Sequence, residues 1–437
     1  MSKTVCFSTL GCKVNQYDTQ AMRELFEARG YVSVPPGAGA DVYVVNTCTV
    51  TGTGDHKSMK LVRRYRRENP AAEVVIAGCL AQRLGEELRD TGARLILGTQ
   101  YRGQVVDLLE KAIQENTQTV AVSGLESAPF EALSIHRHEG HTRAVMKIQE
   151  GCNCHCTYCV IPSVRGGVRS RLLEDIRREA AALGKAGFSE LVLTGIHLSS
   201  YGIDLPGRPD LAQAVRAACS QEGILRVRLG SLEPGVATEA FVNTLAELPQ
   251  CCPQFHLALQ SGSDSVLARM KRRYNTAQYE EAVKRIRSRF PGAAFTTDVI
   301  VGFPGETEEE FQQTLSFCDR VGFARLHVFP YSKRKSTPAA EMPGQVSDAV
   351  KQYRVRRLMD LGEAMMMAYH DSQRGQMREV LLEERRPDGR WEGYTPEYVH
   401  TIVEADPKCS TSLRSGQMVR VCMGEPTGEG MTGLLVE

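Results

Sequence analysis

Hydrophobic and polar positions in residues 1–137 alternate between two kinds of pattern, one typical of buried strands and one typical of amphipathic helices. Short runs rich in β-branched residues predict buried parallel strands, and an amphipathic helical pattern follows each run. The predicted strands span residues 4–10, 41–46 and 73–77, and the predicted helices span residues 15–29, 56–68 and 82–89. This alternation predicts a doubly wound α/β domain. The polar residues 116–142 predict a linker to the next domain.

Residues 143–333 contain six more strand patterns, most of them separated by helical patterns. These strands are predicted at residues 144–149, 190–193, 226–229, 255–259, 295–301 and 325–329. A closed (β/α) barrel needs eight such units, so six of them predict an open six-stranded partial barrel. In such architectures the chemistry lies at the carboxyl ends of the strands.

The hydrophobic period changes to two after a helix predicted at residues 344–372. Alternating strands with Gly and Pro turns between them predict a small all-β barrel. These strands span residues 377–383, 398–403, 418–423 and 432–436. The patterns therefore divide the chain into three domains, at residues 1–137, 138–369 and 370–437.

Charge and composition set limits on the partners of the chain. The 53 basic and 52 acidic residues nearly cancel, so any nucleic-acid surface must be local. Residues 370–437 carry eight basic and twelve acidic residues, which disfavours a nonspecific RNA clamp there. The first residues lack the apolar core of a signal peptide, and no apolar run reaches the ~20 residues of a membrane span. We therefore expect a cytoplasmic protein without membrane association.

Fourteen cysteines are many for a cytoplasmic chain, where disulfides are rare, and they favour metal or redox use. Cys152, Cys156 and Cys159, here the Cys152 set, have the spacing C-x3-C-x2-C just after the first strand of the central domain. Three thiolates without a fourth suit a cubane iron–sulfur cluster that leaves one iron open to a substrate. Cys154 lies off this spacing and is interpreted as a bystander.

Three other cysteines each follow a predicted strand of the first domain. Cys12, Cys48 and Cys79 are here called the Cys12 set. Because the carboxyl ends of parallel strands meet at one rim, they are expected to converge, and the glycines before Cys12 and Cys79 permit tight turns. A second three-cysteine iron–sulfur site is predicted. A zinc site, which would need a fourth ligand, and three unrelated loop cysteines are the alternatives.

The six strand ends of the central domain carry polar or Gly/Pro-rich segments, as a small-molecule site would. Candidate ligands of a nucleoside cosubstrate are Gly195, Ser231, Glu233, Gln260, Ile300 and Gly302. An ordinary loop role is the alternative for each of them. His197 is interpreted as a packed or capping residue, and Asp298 as either structural or functional.

A basic run on the predicted helix at residues 56–68 opens just after Cys48. Such a run is either a solvated helix face or a contact surface for a phosphate backbone. The candidate RNA-binding residues are Arg63, Arg64, Arg66 and Arg67, together with Lys333, Arg334 and Lys335 after the sixth strand of the central domain.

Taken together, the motifs resemble the radical SAM (S-adenosylmethionine) methylthiotransferases over nearly the full chain. They are LGCKVNQY at residues 10–17, NTCTV at 46–50, GC at 78–79, the cysteine stretch at 151–171, LTGIHLSSYG at 193–202 and FPYSKRK at 329–335. The GCKVNQY and YSKRK forms resemble the branch that acts on threonylcarbamoyladenosine in tRNA. Ser336 stands where the family pattern has Gly.

The resemblance implies a radical SAM partial barrel between an N-terminal methylthiotransferase domain and a C-terminal TRAM domain. It implies two 4Fe-4S clusters and S-adenosylmethionine as both radical source and methyl donor. The Cys152 set would hold the cluster that cleaves SAM, and the Cys12 set the auxiliary cluster that delivers sulfur.

The implied reaction inserts a methylthio group at C2 of the adenine next to the anticodon, at position 37. The implied partners are the tRNA anticodon stem-loop and an electron donor such as flavodoxin or ferredoxin. Isopentenyladenosine in tRNA and a ribosomal-protein aspartate are the alternative substrates. Outside this class, the alternatives are an iron–sulfur electron carrier or sensor with an RNA-binding tail and a zinc-dependent RNA-binding module.

Overall fold

The computed structural model describes residues 3–126, 128–404 and 413–436. The domain predictions for residues 1–2, 127, 405–412 and 437 lie outside the described residues. Within the described ranges, no helix has both the length and the apolar character needed to cross a bilayer.

The first domain is a six-stranded parallel sheet in the order β2-β1-β3-β4-β5-β6. Its strands are β1 Thr4–Thr9, β2 Val32–Ser33, β3 Val42–Thr47, β4 Glu73–Gly78, β5 Leu95–Leu97 and β6 Thr119–Ala121. Its helices are α1 Lys13–Ala28, α2 Gly52–Glu68, α3 Cys79–Leu84 and α4 Val105–Gln114. Separate hydrophobic clusters lie on the two faces of the sheet, so the doubly wound prediction is confirmed.

The chain order reverses between β1 and β3, because β2 lies on one side of β1 and β3 on the other. In open α/β sheets such a switch point is where ligands bind. The sequence patterns missed β2, β5 and β6, since strands of two or three residues give little signal. They also missed α4, although its ten residues carry an amphipathic helical pattern. The helix predicted at 82–89 is divided, because α3 ends at Leu84 and a 3-10 helix covers Gly85–Thr91.

The central domain contains all six predicted strands and two short additional ones. They are β7 Arg143–Glu150, β8 Arg169–Ser170, β9 Glu190–Gly195, β10 Arg226–Leu229, β11 Ser231–Leu232, β12 Gln254–Leu257, β13 Ala294–Val301 and β14 Arg325–Pro330. They form two four-stranded sheets, β10-β9-β7-β8 and β11-β12-β13-β14. A parallel bridge between Val227 and Cys251 joins the sheets into one open wall, so the partial-barrel prediction is confirmed.

Helices cover the outer face of this wall and bury the largest hydrophobic core. They are α6 Leu173–Lys185, α7 Leu211–Cys219, α8 Glu239–Ala246, α9 Asp264–Arg269, α10 Thr276–Arg289, α11 Glu308–Val321 and α13 Asp348–Asp371. The short helices α5 Ile161–Arg165 and α12 Pro338–Glu341 lie outside this core. Alternate residues of each strand therefore face the helices, and the residues between them face the concave side.

The last domain is a closed five-stranded barrel in the order β15-β16-β17-β19-β18. Its strands are β15 Met377–Arg385, β16 Trp391–Tyr394, β17 His400–Glu404, β18 Met418–Thr427 and β19 Gly430–Leu435. The predicted all-β barrel is confirmed, with β16 as the strand that the sequence pattern missed. The domain boundaries after residues 137 and 369 stay predictions.

Candidate active site

The loop of residues 151–160, here the Cys152 loop, leaves the carboxyl end of β7 and reaches α5 without regular structure. Gly151 has a φ of +72°, and a Cβ there would lie 1.8 Å from the carbonyl oxygen of Gly167. Only glycine therefore lets the loop fold back on itself at this point. The Cys152 N–H donates to the carbonyl oxygen of Gly166 at 2.9 Å, which closes the loop.

Each sulfur of the Cys152 set accepts one N–H. The donors are the backbone N–H of Cys154 to Cys152 at 3.3 Å, the Arg272 guanidinium to Cys156 at 3.1 Å and the backbone N–H of Ile161 to Cys159 at 3.4 Å. Donors of this kind stabilise negative charge on cluster-ligating sulfurs. The donor set therefore fits an iron–sulfur cluster held by these three cysteines.

Burial raises the pKa of the Cys159 thiol to about 11, and it also raises the pKa of Cys156. Without a metal these thiols would be protonated at neutral pH. Binding to iron replaces the proton, because a metal-bound thiol is deprotonated. The burial of the set is thus consistent with metal ligation.

Cys154 points to a different partner. Its Sγ lies 3.7 Å from Nε2 of His197, and His197 is also 3.3 Å from Glu233 and 2.6 Å from the Ser200 hydroxyl. Burial opposes protonation of this imidazole, but hydrogen bonds to Cys154 and Glu233 raise the pKa of His197 to about 9. His197 is therefore a hydrogen-bonded histidine of the strand end, and the bystander role of Cys154 stays a prediction.

The Cys12 set follows β1, β3 and β4, which are neighbours in the sheet. Gly11 has a φ of +103°, and a Cβ there would lie 3.1 Å from the Cys48 sulfur. Gly78 has a φ of +92°, and a Cβ there would lie 2.3 Å from Asn46 Oδ1. Both glycine predictions are confirmed, since neither backbone position admits a side chain.

The thiols of the Cys12 set are close enough to act on one another. Burial raises the pKa of Cys79 to about 11, and the charges of Cys12 and Cys48 raise it further against the lowering effect of Arg165. Cys79 is buried, Cys48 is partly buried and Cys12 is exposed, so the set opens to solvent on one side. This arrangement fits a three-cysteine cluster with an accessible iron.

Arg165 connects the two cysteine sets. It ends α5, the short helix after the Cys152 loop, and its side chain is fully buried. Its Nε–H donates to Cys79 Sγ at 3.1 Å, while its Nη1 donates to Glu150 at 2.6 Å and to Asp18 at 3.2 Å. One guanidinium thus joins the helix after the Cys152 loop to a cysteine of the Cys12 set.

The six candidate cosubstrate residues lie near the carboxyl ends of β9 to β13. Gly195 ends β9, Ser231 is exposed in β11 and Ile300 is partly buried in β13. Glu233 accepts from Arg272 at 2.5 Å, and Gln260 adopts a left-handed φ of +68°. The role of each in binding SAM stays a prediction.

Gly302 differs from the rest of that group. A Cβ there would lie 2.4 Å from the Lys351 Cγ, so α13 covers this side of the glycine. Its N–H donates to the Glu306 carboxylate at 2.5 Å. Close packing against α13 therefore explains why position 302 is occupied by glycine.

Two family models match the chain. "Radical SAM superfamily" matches residues 146–318, and "Uncharacterized protein family UPF0004" matches residues 4–98. The chain is also 38% identical over 443 residues to "Threonylcarbamoyladenosine tRNA methylthiotransferase MtaB" of Bacillus subtilis, covering 99% of this chain and 97% of that protein.

The chain belongs to the radical SAM methylthiotransferases. A second similar relative is the Thermotoga maritima protein of the same name, 36% identical over 91% of this chain and 90% of its own. Another is "tRNA-2-methylthio-N(6)-dimethylallyladenosine synthase" of Streptomyces coelicolor, 37% identical over 90% of this chain and 79% of its own.

Solved structures support the fold of this methylthiotransferase. The radical S-adenosylmethionine methyltransferase TsrM from Kitasatospora setae aligns with a TM-score of 0.57 and 16% identity, covering 78% of this chain and 77% of that chain. The enzyme class and the cofactors predicted from the motifs, SAM and two 4Fe-4S clusters, are confirmed by the family. The electron-carrier and zinc alternatives do not account for this membership.

The candidate RNA-binding residues of the methylthiotransferase fall into two groups. Arg63, Arg64 and Arg67 are exposed on α2, as are Lys333 and Lys335 after β14, whereas Arg66 is partly buried. Arg334 is 5% exposed, and it donates to Asp55 at 2.6 Å and to Thr49 at 3.1 Å. Arg334 is therefore an interdomain contact in this structure and is not presented to a ligand.

Sequence reasoning missed the two arginines that contact cysteine sulfurs. Arg165 and Arg272 lie 86 and 116 residues from their cysteine partners. Arg165 stands within the cysteine stretch at residues 151–171, and this position was the sequence feature that could have marked it as a site residue. Arg272 lies in a basic loop after α9 with no motif around it.

Proposed function

We propose that this enzyme inserts a methylthio group at C2 of threonylcarbamoyladenosine at position 37 of tRNA. The observation that carries the proposal is near full-length identity, 38% and 36%, to two relatives named for threonylcarbamoyladenosine in tRNA. The hydrogen bond from Arg165, in the helix that follows the Cys152 loop, to Cys79 of the Cys12 set supports it. We also propose a cytoplasmic location and an electron donor such as flavodoxin or ferredoxin.

The chemistry of the proposed reaction explains why the enzyme needs two cysteine sets. The C2–H bond of adenine is not acidic, so general base catalysis would not remove it and the hard step falls to cofactors. When bound, the clusters would supply the electron that cleaves SAM and the site from which sulfur is delivered. The protein positions the cysteines, supplies N–H donors to their sulfurs and holds the adenine between the two sets.

Nucleoside analysis of tRNA from cells with and without the gene tests the proposal. Loss of methylthiolated threonylcarbamoyladenosine in the deletion strain, with its precursor accumulating, is the expected result. Restoration by the wild-type gene but not by a Cys48→Ala gene would tie the loss to the Cys12 set. Unchanged methylthiolation in the deletion strain would refute the proposal.

The branch that acts on dimethylallyladenosine, called isopentenyladenosine above, is the second candidate. The Streptomyces coelicolor relative named for this nucleoside is 37% identical to the chain. The same nucleoside analysis separates the two, since loss of the methylthiolated dimethylallyl nucleoside alone would select that branch. Loss of neither nucleoside, with loss of a methylthio group from a ribosomal protein, would select the aspartate alternative.

In the purified enzyme, the two cysteine sets should have separable roles. Cys152→Ala, Cys156→Ala or Cys159→Ala should abolish formation of 5′-deoxyadenosine from SAM. Cys12→Ala, Cys48→Ala or Cys79→Ala should retain some SAM cleavage without product formation. Equal loss of cleavage in both groups would contradict the division.

A further inference from the structure

A polar cluster lies on three neighbouring strands of the central domain. It consists of His256 on β12, Asp298 on β13 and His327 on β14, here the His256 cluster. One side-chain nitrogen or oxygen atom from each residue lies within 4.8 Å of the corresponding atoms of the other two, and all three residues are partly buried. His256 Nε2 is 3.3 Å from Asp298 Oδ2, and its Nδ1 is 2.9 Å from the Thr296 hydroxyl.

The cluster faces the concave side of the wall. On β13, Phe295, Val299 and Val301 belong to the core under the helices, so Asp298 and Ile300 face the opposite side. On β14, Leu326 and Val328 pack against that core, which places His327 and Phe329 on the concave side.

Phe329 is an unusual residue for this position. It lies two residues after His327, is paired in register with Ile300 and is 45% exposed. An aromatic face left open beside polar groups inside a concave wall is typical of a surface on which a flat ring stacks. Ile300 next to it adds an apolar neighbour.

The loop after β14 contacts the first domain beside the Cys12 set. The N–H of Gly52 donates to the Ser332 hydroxyl at 3.3 Å, and Arg334 pairs with Asp55 at 2.6 Å. Lys13, which directly follows Cys12, is also within electrostatic range of the cluster. Burial lowers the pKa of His327, and the positive charge of Lys13 contributes to that lowering.

We propose that Phe329 is the stacking platform for the target adenine and that the His256 cluster binds the polar substituent on its N6 atom. This assignment rests on the proposed function and names the substrate contacts of that site. A threonylcarbamoyl group carries a urea, a hydroxyl and a carboxylate. Asp298, which His256 orients, can accept from its N–H and O–H groups, His327 can donate to one of its oxygens, and Lys13 can pair with its carboxylate.

The cluster also accounts for a choice between nucleosides. A dimethylallyl substituent offers no hydrogen-bond partner, so it would remove water from the substrate-facing groups of Asp298 and His327 without replacing their hydrogen bonds. Sites built to hydrogen-bond a substrate reject analogues that lack those groups. The proposed contacts therefore favour threonylcarbamoyladenosine over dimethylallyladenosine.

Binding of short anticodon stem-loop RNAs to the cluster-loaded enzyme tests the assignment, with fluorescence anisotropy as the readout. Three RNAs carry threonylcarbamoyladenosine, dimethylallyladenosine or unmodified adenosine at the target position. Phe329→Leu should weaken binding of all three by about tenfold, and Phe329→Trp should retain it. His327→Gln and Asp298→Asn should weaken only the threonylcarbamoyl RNA, also by about tenfold.

His136→Ala is the matched control, because His136 is exposed and lies outside the central wall. Iron content and thermal midpoints confirm that each variant is loaded and folded. Wild-type affinity for the threonylcarbamoyl RNA in Phe329→Leu and His327→Gln would overturn the assignment. One zinc or manganese ion per chain that His327→Gln removes would overturn it in favour of a metal site.

Failure of the two proposals is distinguishable. Wild-type enzyme that methylthiolates no threonylcarbamoyladenosine would refute the proposed function. Wild-type enzyme that makes this product, with the variants binding RNA normally, would refute only the assignment of Phe329 and the His256 cluster.

Discussion

Two buried arginines each donate an N–H to the sulfur of one cysteine, one in each cysteine set. Arg165 contacts Cys79, and Arg272 contacts Cys156, each at 3.1 Å. Hydrogen bonds to ligand sulfurs withdraw negative charge from a cluster and are one of the protein's means of setting its reduction potential. With the clusters bound to these cysteines, the two arginines would act separately on the two clusters, as positioning residues.

Arg165→Lys should lower the reduction potential of the auxiliary cluster and weaken its retention about tenfold, because lysine cannot donate to Cys79 and both carboxylates from one fork. The measurement is a redox titration with iron analysis in a background where the Cys152 set is replaced by alanine. Arg272→Lys in the same background is the control and should change neither value. An unchanged potential in Arg165→Lys would contradict the role.

Ser336 occupies a backbone conformation that favours glycine, with a φ of +73°. A side chain in this region costs about 1–2 kcal/mol, while glycine adds about 0.5–1 kcal/mol of unfolded-state entropy. Ser336→Gly should therefore raise the free energy of unfolding by about 0.5–1 kcal/mol, and Ser336→Val should lower it. Thermal midpoints of the three proteins check this, and a Val variant as stable as wild type would contradict it.

At the scale of elements, β10 attaches the C-terminal barrel to the central wall. Arg228 donates to Glu190 at 2.9 Å and to the Pro396 carbonyl at 2.8 Å, and its guanidinium lies 4.7 Å from the Tyr398 ring centroid. Arg226 donates to the Glu379 carbonyl at 2.9 Å. The acidic barrel is therefore joined to the rest of the molecule by buried cations.

Arg228→Met should destabilise the protein by about 3–5 kcal/mol, because it leaves the Glu190 carboxylate buried beside fewer cations. It should also loosen the barrel, making the segment between α13 and β15 cleavable in limited proteolysis. Arg216→Met, at an exposed ion pair with Glu247, is the control and should cost less than about 1 kcal/mol. Equal protease resistance of both variants would argue against this attachment.

At the scale of the whole molecule, a buried charge network joins the first two domains. Asp18 on α1 pairs with Lys147 and Arg102 at 2.5 Å each, and Glu150 pairs with Arg165 at 2.6 Å. Each of these side chains is at most 3% exposed. The network fixes the distance between the Cys12 set and the Cys152 set. A reaction that uses both sets requires such a fixed distance.

This interface should be acid-sensitive. Burial opposes ionisation of Asp18, but Arg102 and Lys147 outweigh it and lower its pKa below 3.8, and the pKa of Glu150 is held well below 4.5. Depressed carboxyl pKa values contribute stability above about pH 4 that is lost as pH falls toward the folded values. Asp18→Asn should therefore cost more stability at pH 7 than at pH 3.5.

Urea unfolding of the cluster-free chain at both pH values measures this difference without cluster loss. Asp107→Asn is the control, because Asp107 forms an exposed pair with Arg29. Its cost should stay within about 1 kcal/mol at either pH. A cost of Asp18→Asn that is equal at both pH values would contradict the pKa-based expectation.

The sequence by itself determined the three-domain order, the long strands and both cysteine sets. The Cys152 set lies within one loop, and the Cys12 set follows from the rule that parallel strands share a carboxyl rim. Periodicity needs several residues to repeat, so the two- and three-residue strands β2, β5 and β6 gave no readable pattern, whereas the long strands β7 and β13 did.

Only the tertiary structure decided which side chains meet across those elements. The contacts of Arg165 with Cys79, Arg272 with Cys156 and Arg334 with Asp55 each join residues more than 80 positions apart. The His256 cluster likewise depends on the register of three strands. No local pattern encodes such pairs, because packing in three dimensions sets their distances, burial and charge.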